Sequence, residues 1–120
     1  MKVNQETIKN MLLTLEELPY THAQFTVDNE ATPEETEEIH FHYLILQDAG
    51  FVELGEPITN AAGELMSIPE IRMTYQGNEY LQALKEKKVW EKVKNYSIET
   101  AKEVGKQLLI AIAKDQAGLK

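Results

Sequence analysis

Three histidines, His22, His40 and His42, are the side chains best suited here to bind a metal ion or transfer a proton. His40 and His42 are two residues apart, so on a helix they point about 200° away from each other and cannot share one ion. Glu38 and His42 have the i, i+4 spacing of a weak metal pair, but no third ligand accompanies them in the sequence. We therefore expect core or half-buried histidines hydrogen-bonded to the backbone, and we predict no metal site.

Acidic side chains are abundant, and many of them cluster in one segment. Acid–base catalysis needs two carboxylates held in different environments within a cleft, whereas these lie together at the start of a helix. A divalent-cation site there lacks the EF-hand spacing that would support it. The cluster therefore predicts a solvated acidic face, formed by Glu30, Glu34, Glu35, Glu37 and Glu38.

Motifs for covalent or cofactor chemistry are missing from the sequence. The chain has no cysteine, which excludes disulfides and thiolate metal sites. It has no Gly-x-Ser-x-Gly motif, no phosphate-binding glycine loop and no dinucleotide-binding fingerprint. We therefore predict that the protein is not an enzyme and carries no cofactor.

A lysine-rich stretch is the one feature that favours nucleic-acid binding, since lysines neutralise phosphates and an aromatic side chain can stack on a base. Trp90 lies within this stretch beside Val89 and Val93, which favours a core position for the indole. Glu86 and Glu91 dilute the positive charge, as on many solvated helix faces. With Arg72 of the neighbouring segment, the nucleic-acid candidates are Lys85, Lys87, Lys88, Lys92 and Lys94.

The charge of the chain is strongly uneven. The whole chain of 120 residues carries −8, and residues 1–60 hold twelve acidic residues against two lysines, a net of −10. An acidic protein is repelled by DNA and by anionic membranes unless a basic face overrides that field. The sequence shows no signal peptide and no apolar run of about 20 residues that could span a bilayer, so we expect a cytoplasmic protein that does not bind membranes.

Local signals predict a helix over residues 4–18, a short strand over 24–27 and a second helix from Thr32 to about Ala49. Thr32 and Pro33 are typical of a helix start, and Gly50 of a helix end. Two strand-like segments follow, joined through Asn-Ala-Ala-Gly, in which Pro57 and Pro69 keep parts of both strands from being central in a sheet.

The remaining chain predicts a helix from about Thr74, a short helix around Trp90 and a last helix over about 98–114. The fold class expected is α+β, mostly helical and winged-helix-like, with a helix, a short strand, a helix, a β-hairpin wing and C-terminal helices. Residues 1–114 are expected to form a single domain, and residues 115–120 a flexible tail.

Three stretches of the chain resemble domain of unknown function 2513, an uncharacterised family of bacteria and phages: HFHYLILQDAGFVE, IRMTYQGNEYLQAL and VWEKVKN. They cover about residues 39–95 in the family's order. Tyr75 stands where the family usually has tryptophan and is expected to serve as the same aromatic anchor. Asn78 stands where histidine is common, which argues against a shared histidine chemistry. The resemblance implies a winged-helix-like fold and a phage or mobile-element association, and it implies no activity.

These observations favour a non-enzymatic protein-interaction or regulatory domain that binds another protein or itself. Its candidate surface is acidic and comprises Glu34, Glu35, Glu37 and Glu38. The alternative is an atypical winged-helix DNA-binding protein that uses the stretch from Lys85 to Lys94. A third hypothesis, an enzyme or metal protein, lacks a supporting constellation of residues.

Overall fold

Residues 1–95 are described by the structure, a computed structural model of the chain. Within them, four helices accompany a four-stranded antiparallel sheet, and about half of the residues are helical. The architecture is therefore mixed α+β, as the sequence indicated. The last helix, expected over 98–114, and the tail at 115–120 lie outside the described residues.

The first two helices begin at side-chain caps, the second of them at Thr32, as the sequence predicted. Helix α1 spans Gln5–Glu17, and the Asn4 side chain accepts a hydrogen bond from the Thr7 N–H at 3.1 Å. Helix α2 spans Pro33–Asp48, and the Thr32 hydroxyl accepts one from the Glu35 N–H at 3.1 Å. Each cap satisfies a backbone donor that has no partner within the helix.

The sheet is built around its longest strand. Strand β1 spans Ala23–Thr26, β2 Val52–Leu54, β3 Ile58–Thr59 and β4 Leu65–Met73. Strand β4 lies in the centre, with β1 on one side and β2 and β3 on the other. The expected hairpin is thus part of a larger sheet that includes the strand between the first two helices.

Pro69 lies within the central strand, although it cannot donate a backbone hydrogen bond. Neither neighbouring strand pairs with Pro69. On one side, the pairing of β4 with β1 is interrupted by a register shift between Ile71 and Ile68. On the other side, Pro69 faces the gap between β2 and β3. The part of the strand at Pro69 is unpaired, as the sequence indicated, while the strand as a whole is central. A bulge opposite proline is the arrangement that tolerates the missing N–H.

Two helices complete the described chain, α3 over Tyr75–Lys85 and α4 over Lys87–Val93. The core lies where α1 and α2 pack against the sheet and α3 packs against α1 and α4. Val89 and Val93 of α4 are fully buried. Trp90, expected in the core, packs against the core but remains half-buried. The largest fully buried apolar side chains are Phe51, Ile8, Leu12, Leu46, Ile68, Ile71, Leu81 and Leu84.

The turn after α2 and the start of α3 interlock through Thr74. Its hydroxyl donates to the Gly50 carbonyl at 2.5 Å and accepts from the Gly77 N–H at 3.0 Å. A Cβ at Gly77 would overlap the Phe51 carbonyl group, so the backbone here needs glycine. Tyr75 is 77% exposed, so the expectation that it anchors the helix is wrong. The Thr74 cap and the close approach of the Gly77 backbone to the Phe51 carbonyl hold the start of α3 against the turn after α2 instead.

Candidate functional site

His42 is a structural histidine. It is fully buried, its Nε2 accepts the Asn4 N–H at 3.0 Å, and its Nδ1 lies 2.8 Å from the Glu38 carbonyl oxygen. Because Nε2 accepts, Nδ1 carries the proton and donates to Glu38, so the ring is a neutral imidazole. The prediction of a core histidine bonded to backbone is confirmed at this position.

The other two histidines lie apart from His42. His22 is exposed, with Nδ1 2.9 Å from the Thr21 hydroxyl, and His40 is half-buried on another side of α2. Among residues 1–95, no group of three histidine, aspartate or glutamate side chains could hold a metal ion.

The acidic candidates are brought together on the first two turns of α2. Glu34, Glu35, Glu37 and Glu38 are all exposed. They lie near the positive end of the helix dipole, which stabilises negative charge there. The same helix carries apolar side chains farther along, so its outer side combines carboxylates with Leu44, which is 41% exposed.

A groove separates the outer side of α2 from the strands that follow it, and we call it the α2–hairpin groove. Its volume is about 320 Å³. Helix α2 contributes one wall, the segment from β2 to β3 the other, and β4 the floor. The lining residues are His40, Leu44, Gln47, Leu54, Gly55, Glu56, Pro57 and Ile68.

Charge at the α2–hairpin groove has one sign. Glu56 belongs to the lining, and no lysine or arginine does. Glu37 lies seven residues before Leu44, and Asp48 lies four residues after it. Both carboxylates are exposed, and these spacings place them on the same side of α2 as Leu44. The groove is thus a cleft with apolar and polar lining residues within an acidic surface.

Sequence reasoning missed this groove. Leu44 lines the groove from outside the buried positions of α2, which are Thr36, His42 and Leu46. The available signal was the excess of apolar residues on α2, which are too many for one buried face.

A second, larger depression of about 760 Å³ lies among the N-terminus of α1, α2 and α4. It is bordered by Lys2 and Lys94 as well as Glu6 and Glu38, so it has no single charge preference. Its mixed, polar lining does not define a ligand class.

Half of the nucleic-acid candidates are held in ion pairs. Arg72 binds Glu53 through two nitrogens, with Nη2 2.7 Å and Nε 3.2 Å from its carboxylate oxygens. Lys85 lies 2.6 Å from Glu16, and Lys94 lies 3.0 Å from Glu91. Hydrogen bonds from Lys85 and Gln82 lower the pKa of Glu16, and one from Lys94 lowers the pKa of Glu91.

The other three candidates share the outer side of α4. Lys87, Lys88 and Lys92 are exposed and surround Glu91, so the structure brings these lysines together. The Lys9 ammonium lies 4.5 Å from the centre of the Trp90 ring, where it occupies one face of the indole. A base could not stack on that face without displacing the lysine.

The fold and these surfaces define a small α+β protein with a buried structural histidine, an acidic helix bordering a groove and a short lysine cluster. The chain belongs to the family described as hypothetical protein (DUF2513), which matches residues 2–103. This confirms the resemblance of the three stretches.

A relative with 30% identity over 94 residues is an uncharacterized protein of Haemophilus influenzae. The alignment covers 78% of this chain and 76% of that protein. No solved structure matches the chain. Within the described part of the chain, no helix is both long and apolar enough to cross a membrane.

Proposed function

We propose that this chain is a winged-helix-like module without enzymatic activity that binds a basic partner protein through the outer side of α2. The observation that carries the proposal is the pairing of exposed carboxylates with uncovered apolar surface on that helix. Carboxylates select a basic partner, and apolar surface supplies binding free energy when it is buried.

The order of elements supports the winged-helix part of the proposal. A helix, a short strand and a second helix precede antiparallel strands, and β1 pairs with β4. In winged-helix proteins that bind DNA, the helix before the hairpin enters the major groove and the hairpin contacts the backbone. Helix α2 and the β2–β4 segment hold these positions in the chain.

The charges oppose the usual docking of that architecture on DNA. Four glutamates occupy the first six positions of α2, where phosphates would lie. The hairpin segment adds acidic side chains, and its single basic residue, Arg72, is paired with Glu53. A basic protein surface is the better match for this side of the molecule. The acidic residues of the hairpin segment are Glu53, Glu56, Glu64 and Glu70.

The first experiment is affinity capture from a bacterial lysate on the immobilised chain. One variant replaces Glu34, Glu35, Glu37 and Glu38 by glutamine, and its control replaces Lys87, Lys88 and Lys92 by glutamine. We expect basic proteins to be retained by the wild type and by the lysine variant, and to be lost with the glutamate variant. Retention that survives loss of the glutamates, or that depends on the lysines, would contradict the proposal.

Nucleic-acid binding is the second candidate function. The observation that favours it is the clustering of Lys87, Lys88 and Lys92 on the outer side of α4. Three lysines can neutralise about three phosphates, which is few compared with the six to ten contacts of a protein that binds DNA well. The contact between Lys9 and Trp90 further weakens this candidate.

A further inference from the structure

The α2–hairpin groove defines what the partner must present. We propose that the groove receives one large apolar side chain from a short basic segment of the partner. This inference rests on the proposed function and adds the site of contact and the chemistry of the segment. The two walls come from consecutive elements, α2 and the β2–β3 connection, and the floor comes from β4, so the groove exists only in the folded protein.

The apolar part of the inference follows from the lining. Leu44, Leu54 and Pro57 contribute hydrocarbon surface above the buried Ile68, and a volume of about 320 Å³ is at the lower end of small-molecule pockets. Such a groove suits a single leucine, methionine or phenylalanine side chain better than a long helix. Anchors of this kind, buried in a pocket at the centre of a contact, supply most of the affinity in protein interfaces.

The basic part follows from charge complementarity. Glu56 lies in the lining, and Glu37 and Asp48 flank Leu44 on the same side of α2. Lysines or arginines beside the apolar anchor would meet these carboxylates at the rim. Rim charges raise the association rate and select the partner more than they add affinity.

The half-buried His40 adds a polar group at the wall. Among residues 1–95, no group is hydrogen-bonded to its imidazole. An imidazole can donate or accept, which allows it to bond the backbone of a docked segment. One directional contact of this kind would fix the orientation of the segment in the groove.

A second copy of the chain is a poorer occupant than a basic segment. Each copy carries a net charge of −8, so two copies repel each other. The exposed lysines of a second copy, Lys87, Lys88 and Lys92, surround Glu91 on a helix whose valines are fully buried, so they lack an exposed aliphatic anchor for the groove.

The test uses a short fluorescein-labelled synthetic peptide in which leucine is flanked by lysines, titrated with the full chain and followed by anisotropy. One reference peptide replaces each leucine by serine at unchanged charge, and the other replaces each lysine by glutamate. We expect the lysine–leucine peptide to bind and both reference peptides to bind at least about tenfold more weakly.

Two pairs of variants separate the groove from the charges. Leu44→Asn has the control Leu18→Asn, because the two leucines are 41% and 39% exposed. The double variant Glu34→Gln/Glu37→Gln has the control Glu17→Gln/Glu79→Gln, in which all replaced side chains are also exposed. We expect Leu44→Asn to weaken peptide binding about tenfold and Leu18→Asn to leave it unchanged.

The outcomes distinguish the two claims. Weaker binding in Glu34→Gln/Glu37→Gln with unchanged binding in Leu44→Asn would overturn the groove and leave the acidic-surface function standing. Equal binding in both glutamate variants would overturn the proposed function itself. Sedimentation that shows a dimer, dissociated by Leu44→Asn, would assign the groove to a second copy and overturn the basic-segment inference.

Discussion

Two polar side chains, His42 and Thr74, hold elements of the fold together. His42 satisfies the N–H of Asn4 at the start of α1 and bonds the carbonyl of Glu38 on its own helix. Thr74 joins the end of α2 to the start of α3 through its hydroxyl. Both side chains use their hydrogen-bonding capacity on backbone groups, which leaves little for a substrate.

Replacing His42 by leucine should lower the free energy of unfolding by about 1–3 kcal/mol, because the Asn4 N–H loses its acceptor. Glutamine at the same position can present an oxygen near the place of Nε2, so His42→Gln should lose less. Urea denaturation measures both values. His22→Leu is the control, since His22 is exposed, and a loss as large as that of His42→Leu would contradict the structural role.

Replacing Gly77 by alanine should destabilise the fold by at least about 2 kcal/mol. Alanine is favoured over glycine inside a helix by about 1 kcal/mol, but the added methyl group would overlap the Phe51 carbonyl, which belongs to the backbone and cannot move easily. Thermal unfolding tests the sign. Asn78→Ala, at the next and exposed position, should change stability by less than about 0.5 kcal/mol. A stabilised Gly77→Ala variant would contradict this expectation, because it would show that the Phe51 backbone moves to accommodate the methyl group.

The sequence predicted some of these residue roles and missed others for a physical reason. His42 was expected to bond backbone because its helix spacing left it without metal partners. The pairing of Lys85 with Glu16 could not be predicted, because the two residues are 69 positions apart and meet only after α1 and α3 pack. Ion pairs between distant elements depend on packing, which local patterns do not encode.

At the scale of elements, features set by residues close in the sequence were also predictable, and features set by distant contacts were not. The starts of α1 and α2 were predictable because capping is a contact between residues three apart. The central position of β4 was not, since a bulge and a gap between strands accommodate Pro69. The outward position of Leu44 was also hidden, because apolar residues lie on several sides of α2.

Tyr80 connects two helices and should make the fold sensitive to alkali. Its hydroxyl donates to the Gln5 side chain at 2.8 Å, and burial raises its pKa well above the ordinary value. The unfolded chain would lose this proton first, from about pH 10. The free energy of unfolding should therefore fall as the pH rises above about 10.

The test compares Tyr80→Phe with Tyr75→Phe, since Tyr75 is 77% exposed. Tyr80→Phe should cost about 1 kcal/mol at neutral pH, where it loses the bond to Gln5. It should also reduce the alkaline loss of stability. Part of that loss should remain, because burial raises the pKa of Tyr43 as well. Denaturation curves at neutral and alkaline pH measure these losses. Identical pH dependence in the two variants would contradict the role of Tyr80 in the alkaline loss of stability.

At the scale of the whole molecule, the distribution of charge decides between the two candidate functions. The net charge of −8 repels polyanions over about a Debye length, roughly 8 Å at physiological salt. Within residues 1–95, the cluster of Lys87, Lys88 and Lys92 opposes this field, and its three charges are partly offset by Glu91. We therefore expect the repulsion from the net negative charge to exceed the attraction by these three lysines unless the salt concentration is very low.

A fluorescently labelled DNA duplex of random sequence tests this balance by anisotropy at low and at physiological salt. We expect no binding at physiological salt, because about three phosphate contacts cannot offset the repulsion of the acidic side of the molecule. Any weak binding at low salt should disappear when Lys87, Lys88 and Lys92 are replaced by glutamine. Tight binding that persists at physiological salt and requires these lysines would put the nucleic-acid function first. It would also mean that α4, and not α2 with its four glutamates, is the helix that faces the DNA.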